Sequence, residues 1–484
     1  MSGIRNSMRF LGLALVAWAL APGIAAAQQA YESPAAAKLE VTSASAEANK
    51  HFWAGVSDAE NVFFTSATAH FDKALEADPA FGMARVFRAR SAAGMNQAAR
   101  LAEINKGISE LSGATTGELL TALGMREWTA GNLKEAMAIF GTASRMMPGD
   151  PHLAMYRANV TGGATNPERG IAAMRSVTED FPEFAPAWNT LGYQLWQAGD
   201  RAGGLEAIKK YAELAPDHPN AHDSYAELLQ WSGRYNDAMA HYRRAAELDP
   251  TYGAAYTGMA EVSQMMGAGD HARRYLNEAI EHAQGPNAKI NLMRGIGASY
   301  AIDGNMKAAV EQFTAAAAEA EQAGNKNLAA LALHQAAMVE AMAGKKSDAT
   351  AHLTKAGELM GADNPQQLGF AAMVNARIGN SAAAMESAQK LEEAASKGSA
   401  GSKNFSHLVN GVVFLRANQL DKAVAELAQA DPNAYATKAF LATCYDKMGQ
   451  KAEAAALREE VKADRQYGLG DAGYMVARLE VMKK

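Results

Sequence analysis

The chain has 484 residues, 49% of them hydrophobic and 20% charged, and a formal net charge of -6. This is an ordinary soluble composition, long enough for several domains or one long array. There is no basic block, which argues against duplex nucleic acid or an anionic membrane as partner, and the single cysteine, Cys444, cannot form an internal disulfide.

The N-terminus reads as a targeting segment. Arg5 and Arg9 precede an apolar run over 10–21, Pro22 and Gly23 break it, and Ala25, Ala26 and Ala27 precede Gln28. That order predicts a secretory signal peptide over 1–27, too short to span a bilayer comfortably. No later stretch is apolar enough to span a membrane. The expected product is a soluble, exported chain in the periplasm of a Gram-negative bacterium. Residues 28–45 are small, polar and rich in Ala and Ser, and read as a mobile segment.

From residue 46 the chain repeats. Residues 46–81 give a first helical pair, and 82–116 a weaker copy with its turn near Asn96. Pro148, Pro182, Pro216 and Pro250 then fall at a constant spacing of 34 residues. They mark units at 117–150, 151–184, 185–218, 219–252 and 253–286. Gly131, Gly199, Gly233 and Gly267 lie on the same grid, and Gly304, Gly344, Gly379 and Gly449 continue it at wider spacings, with Asn418 dividing the last interval. Each stands between two apolar-periodic segments, where a helix commonly ends in a left-handed residue.

Small residues recur inside the units: Gly192, Ala226 and Ala260 at one position, Gly204, Ala238 and Ala272 at another. They predict close approach of paired helices. Trp188, Tyr225, Tyr242 and Leu276 are expected to fill the space between pairs. No single pair buries its apolar face alone, so the pairs must stack. The pattern is disturbed at 159–170. Past 286 the second helices lengthen, as over 308–322. SKGSAGSK at 396–403 reads as a flexible insertion, and 471–484 as a solvating helix that caps the last pair.

This pattern resembles the tetratricopeptide repeat (TPR) family. The resemblance implies an all-α fold, a right-handed superhelical solenoid of about twelve antiparallel helix pairs. The regular array covers 46–286 and a TPR-like array of variable repeats covers 287–470. In this family the first helices line a concave groove that holds extended peptides or helices. Its lining positions map here onto Asn189, Tyr193 and Trp196, then Asp223, Glu227, Gln230 and Trp231, then Thr257, Glu261 and Gln264. The family's carboxylate clamp, which needs both Lys and Asn at these positions, is absent, so capture of an acidic C-terminal tail is not implied there.

No sequence motif announces catalysis. GSAGSK at 398–403 lacks the spacing of a phosphate-binding loop. Cys444 falls mid-helix on a core-facing position. His218 and His222 are separated by Pro219 at a helix start, which keeps the rings off a common face. No cofactor or metal is expected. The expected function is a non-catalytic periplasmic scaffold that holds a protein or peptide of the cell envelope in its groove, with Trp196 and Trp231 as anchors. The alternative is a carbohydrate-binding module, since tryptophans in a polar groove also stack on sugar rings.

Overall fold

The turn residues set the architecture. In the computed structural model, which describes residues 38–463, 468–469 and 472–481, all eight grid glycines have φ between 76° and 93°. At Gly131 the helix Thr116–Ala130 closes with the glycine N–H turned back to Glu127 and Trp128 carbonyls. Asn418, with φ 59°, takes the same conformation before the helix Leu420–Leu427. The signal peptide expected at 1–27, and 28–37 of the segment after it, lie outside the described residues.

Among the described residues there are 25 helices and no strand. Within the units, eleven pairs of successive helices pack together, from Ala46–Glu60 with Phe64–Ala77 to Tyr435–Lys447 with Lys451–Ala463, and Ala472–Val481 follows. No described helix is long and apolar enough to cross a membrane. The chain forms two compact units that divide between Leu229 and Gln230. Helix length changes elsewhere, at 286. Pro286–Ile302, Met306–Gln322 and Lys326–Met342 each have 17 residues, against 13 in Gly253–Met265 and Gly269–Glu281.

Within pairs, a glycine of one helix seats a large side chain of a neighbouring helix. A Cβ on Gly124 would lie 2.6 Å from Phe140, on Gly192 2.4 Å from Ile208, and on Gly297 2.8 Å from Phe313. The three receiving side chains are fully buried, each worth roughly 1.5–3 kcal/mol of transfer free energy. Gly192 and Gly204 approach each other across one pair, as the small-residue positions predict.

Three expectations are corrected. The segment expected to be mobile over 28–45 is pinned in its described part. Leu39 is buried and its N–H donates to Asp150 Oδ2 at 2.8 Å, and Thr42 gives both N–H and hydroxyl to Glu118. SKGSAGSK is helical at both ends. Ser381–Ser396 ends in it, and Ser399 caps Ala400–Arg416 by accepting from the Ser402 N–H, which leaves a turn of 397–399. The helix Ala472–Val481 does more than cap the last pair. It packs on Tyr435–Lys447 and Lys451–Ala463, and also on Pro286–Ile302, four pairs earlier. The disturbance at 159–170 is a tight crossing. Pro151–Ala164 runs through Gly162 and Gly163, Asn166 caps Pro167–Asp180, and a Cβ on Gly170 would lie 2.8 Å from Gly162 Cα.

Candidate helix-binding groove

The ten residues assigned to the groove by resemblance divide between the two units. In the unit ending at Leu229, Asn189, Trp196, Asp223 and Glu227 are buried and Tyr193 is half-buried. The Tyr193 hydroxyl donates to Glu227 Oε2 at 2.7 Å. Burial, reinforced by the Glu227 carboxylate, raises the Tyr193 phenol well above its ordinary range. Trp196 is 3% exposed, and its ring lies under the Arg201 guanidinium, 4.5 Å from its centre. Trp196 is therefore an interior side chain, and its role as an exposed anchor is corrected.

In the other unit, Gln230 and Gln264 are buried, and Trp231, Thr257 and Glu261 are half-buried. Gln230 accepts from the Tyr242 hydroxyl at 2.9 Å and donates to Glu261 Oε2 at 3.3 Å. Gln264 accepts from the Ser299 hydroxyl at 2.6 Å and donates to Asp303 Oδ1 at 3.0 Å. Thr257 donates to the Gly253 carbonyl one turn back. These amides and acids form rungs between successive helices. Buried polar groups need such partners, and the rungs fix the register of stacked pairs.

A second set of lining positions lies further along the same frame. Tyr193, Glu227 and Glu261 each stand six residues before a left-handed turn residue. The same step back from Gly344, Gly379, Asn418 and Gly449 gives Met338, Met373, Val412 and Thr443. One turn later on the first three of those helices come Met342, Arg377 and Arg416. Residues i and i+4 share a helix face, so successive first helices present two parallel rows.

The helix Ala472–Val481 lies on those rows. Met475, Val476 and Leu479 join one apolar cluster with Met338, Met373, Val412 and Phe440. Its opposite side, Ala477 and Val481, packs with Ala439 and Val461. Glu480 is the polar residue of the buried face. Its Oε2 accepts from Arg416 Nη2 at 2.7 Å and Arg377 Nη1 at 3.1 Å, and its Oε1 from the Thr443 hydroxyl at 3.3 Å. Burial pushes the carboxyl upward, but the guanidiniums of Arg416 and Arg377 outweigh it and hold the group below its ordinary value. Burial, with Arg416 alongside, lowers Arg377. The arrangement is a carboxylate receptor in an apolar trough, occupied by the chain's own helix.

Other reactive residues lie inert. Cys444 is fully buried, and burial pushes its thiol up to about 11, away from the thiolate range. His218 sits edge-on to Phe63 and is pushed down to about 4 by burial. No cluster of three metal-ligating side chains occurs among the described residues.

The sequence profile of the tetratricopeptide repeat matches residues 232–294. No curated protein sequence matches the chain. Solved structures that are similar in part include PilW, a widely conserved type IV pilus biogenesis factor. It is 18% identical over 42% of this chain and 92% of its own, with a TM-score of 0.35. A thermophilic TPR protein of Thermus thermophilus is 17% identical over 37% and 97%, with a TM-score of 0.31. MamA is 16% identical over 33% and 94%, with a TM-score of 0.30. The profile match marks a tetratricopeptide-repeat segment at 232–294, set within an array of helix pairs.

Proposed function

We propose that this protein is a non-catalytic adaptor, exported to the periplasm, that holds a helical segment of another envelope protein on the first helices of its C-terminal repeats. The observation that carries the reading is the pair of rows Met338, Met373, Val412 and Met342, Arg377, Arg416, with a helix already seated on them. Helix-in-groove recognition reads an amphipathic helix through anchors one turn apart, and methionine adapts to unlike partners. The composition of residues 1–27 supports export. The inertness of Cys444 supports a non-catalytic role. The glycan reading required exposed tryptophan faces, and the buried Trp196 gives it no support, so the protein partner is preferred.

The test is a photo-crosslinking residue at Met342, which is half-buried at the edge of the trough, in the full chain produced in its own envelope. A single protein covalently joined at that position, and no longer joined when Arg377→Glu is added, supports the adaptor. Crosslinks confined to the chain's own residues under every condition contradict it.

A further inference from the structure

The helix Ala472–Val481 fits its trough imperfectly, in two places. A small cavity lies beside Val476, walled by Met338, Met342, Met373 and Phe440 and reached by Arg377 and Arg416. The carboxylate of Glu480 uses one oxygen for both arginines, and the buried Arg416 Nε has no hydrogen-bond partner. A guanidinium offers Nε and Nη in a fork that matches both oxygens of one carboxylate. The fork of Arg416 is half used.

We infer that Ala472–Val481 is an intramolecular stand-in for the partner, and that the trough takes an acidic, apolar helix. Its sequence would carry large apolar residues at the places of Met475, Val476 and Leu479, and a carboxylate at the place of Glu480. This rests on the adaptor reading above and names the chemistry of its partner and its regulation.

Three physical points support displacement. A ten-residue helix is too short to persist in water without a surface to pack on, so once undocked it unfolds and must refold before it can dock again. A buried ion pair loses most of its Coulombic gain to desolvation, so it specifies the ligand more than it tightens the complex. A partner that fills the cavity beside Val476 and completes the Arg416 fork gains contacts the internal helix lacks. The internal helix thus keeps an apolar trough covered until a better-fitting segment arrives.

The experiment is a titration of a fluorescent synthetic peptide, residues 470–484, into the full chain and into the full-chain variant Glu480→Arg. In that variant a third cation faces Arg377 and Arg416, and the internal helix is expelled. The peptide is expected to bind the variant at least ten-fold more tightly than the unaltered chain. A peptide carrying E480Q should lose at least ten-fold, and one carrying V476L should gain. Equal binding to both chains, or binding indifferent to the peptide glutamate, overturns the inference. If Glu480→Arg lowers helix content by circular dichroism, the same titration on Leu479→Ala, which leaves the arginines and their carboxylate in place, decides in the same way. A wild-type mass of two chains by light scattering would assign the trough to a second copy's helix and overturn it too. An envelope protein that crosslinks at Met342 equally in wild type and Glu480→Arg, while the peptide binds neither, refutes the stand-in and leaves the adaptor standing.

Discussion

The Tyr211 hydroxyl donates to Asn61 Oδ1 at 2.5 Å, joining positions 150 residues apart. Asn61 belongs to the turn after the first described helix, and Tyr211 to Arg201–Leu214 in the same unit. The Asn220 side chain also donates to this hydroxyl, at 3.2 Å. Both partners of Tyr211 are buried, so loss of the hydroxyl leaves them without the group they face. Tyr211→Phe is expected to cost about 1–2 kcal/mol, read as a lower urea midpoint with an unchanged slope. An unchanged midpoint would show that the contact carries no stability.

The same turn holds a strained residue. Val62 has φ 67° and is exposed. A β-branched side chain in the left-handed region is an outlier that costs on the order of 1–3 kcal/mol. Val62→Gly removes that strain, while the greater freedom of glycine in the unfolded chain offsets part of the gain. The expected result is a net stabilisation of about 0.5–1 kcal/mol. A lower melting temperature would mean that Val62 makes a contact worth more than its strain.

Glycine seats should tolerate no side chain. A Cβ on Gly258 would fall 2.2 Å from Tyr242 Cζ, whereas one on Gly253 would have nothing nearer than the Ala279 carbonyl at 3.9 Å. Gly258→Ala should therefore destabilise by about 1–3 kcal/mol. Gly253→Ala, at the start of the same helix, should be neutral or stabilising by up to about 1 kcal/mol. Matching thermal shifts for the two variants would refute the seat.

Much of the fold was legible because its determinants are local. Gly131, Gly379 and Asn418 announce themselves as turn residues without reference to anything distant. The seating of Ile208 on Gly192 follows from a small residue facing a large one within a pair. The site was legible only in its frame. Tyr193, Glu227 and Glu261 share one position of the repeat, and each bonds to a side chain of its own chain. Whether Gln264 meets a partner or meets Ser299 depends on packing that no local pattern encodes. Carried past 286, the same rung would have reached Met338, Met373 and Val412, with Arg377 and Arg416 one turn on. Glu480 stood in plain view in an amphipathic segment. Its pairing with Arg377, 103 residues away, required the tertiary path of the chain.

Acid should loosen the C-terminal unit in two steps. His334 stacks on Phe370, and burial pushes it down to about 4. Between its ordinary value near 6.5 and about 4, the unfolded chain binds a proton that the folded chain does not. Stability therefore falls as pH drops through that window, by at most about 1.4 kcal/mol per pH unit. Glu480, held below its ordinary 4.5, contributes fully above that value and is lost as pH falls beneath it. Melting temperatures should decline from pH 7 to pH 4, and His334→Gln should flatten that decline. An equally steep decline in the variant would assign the acid response to other groups.

Amide hydrogen exchange on the full chain at neutral pH reads directly whether the arginine pair holds Ala472–Val481 docked in the trough. Docking should give protection over 475–481 comparable with that of Tyr435–Lys447. Exchange there should be faster by about ten-fold or more in the Arg377→Ala, Arg416→Ala chain, with Tyr435–Lys447 still protected. Unprotected amides over 475–481 in the unaltered chain, or protection that ignores the loss of both arginines, would contradict it.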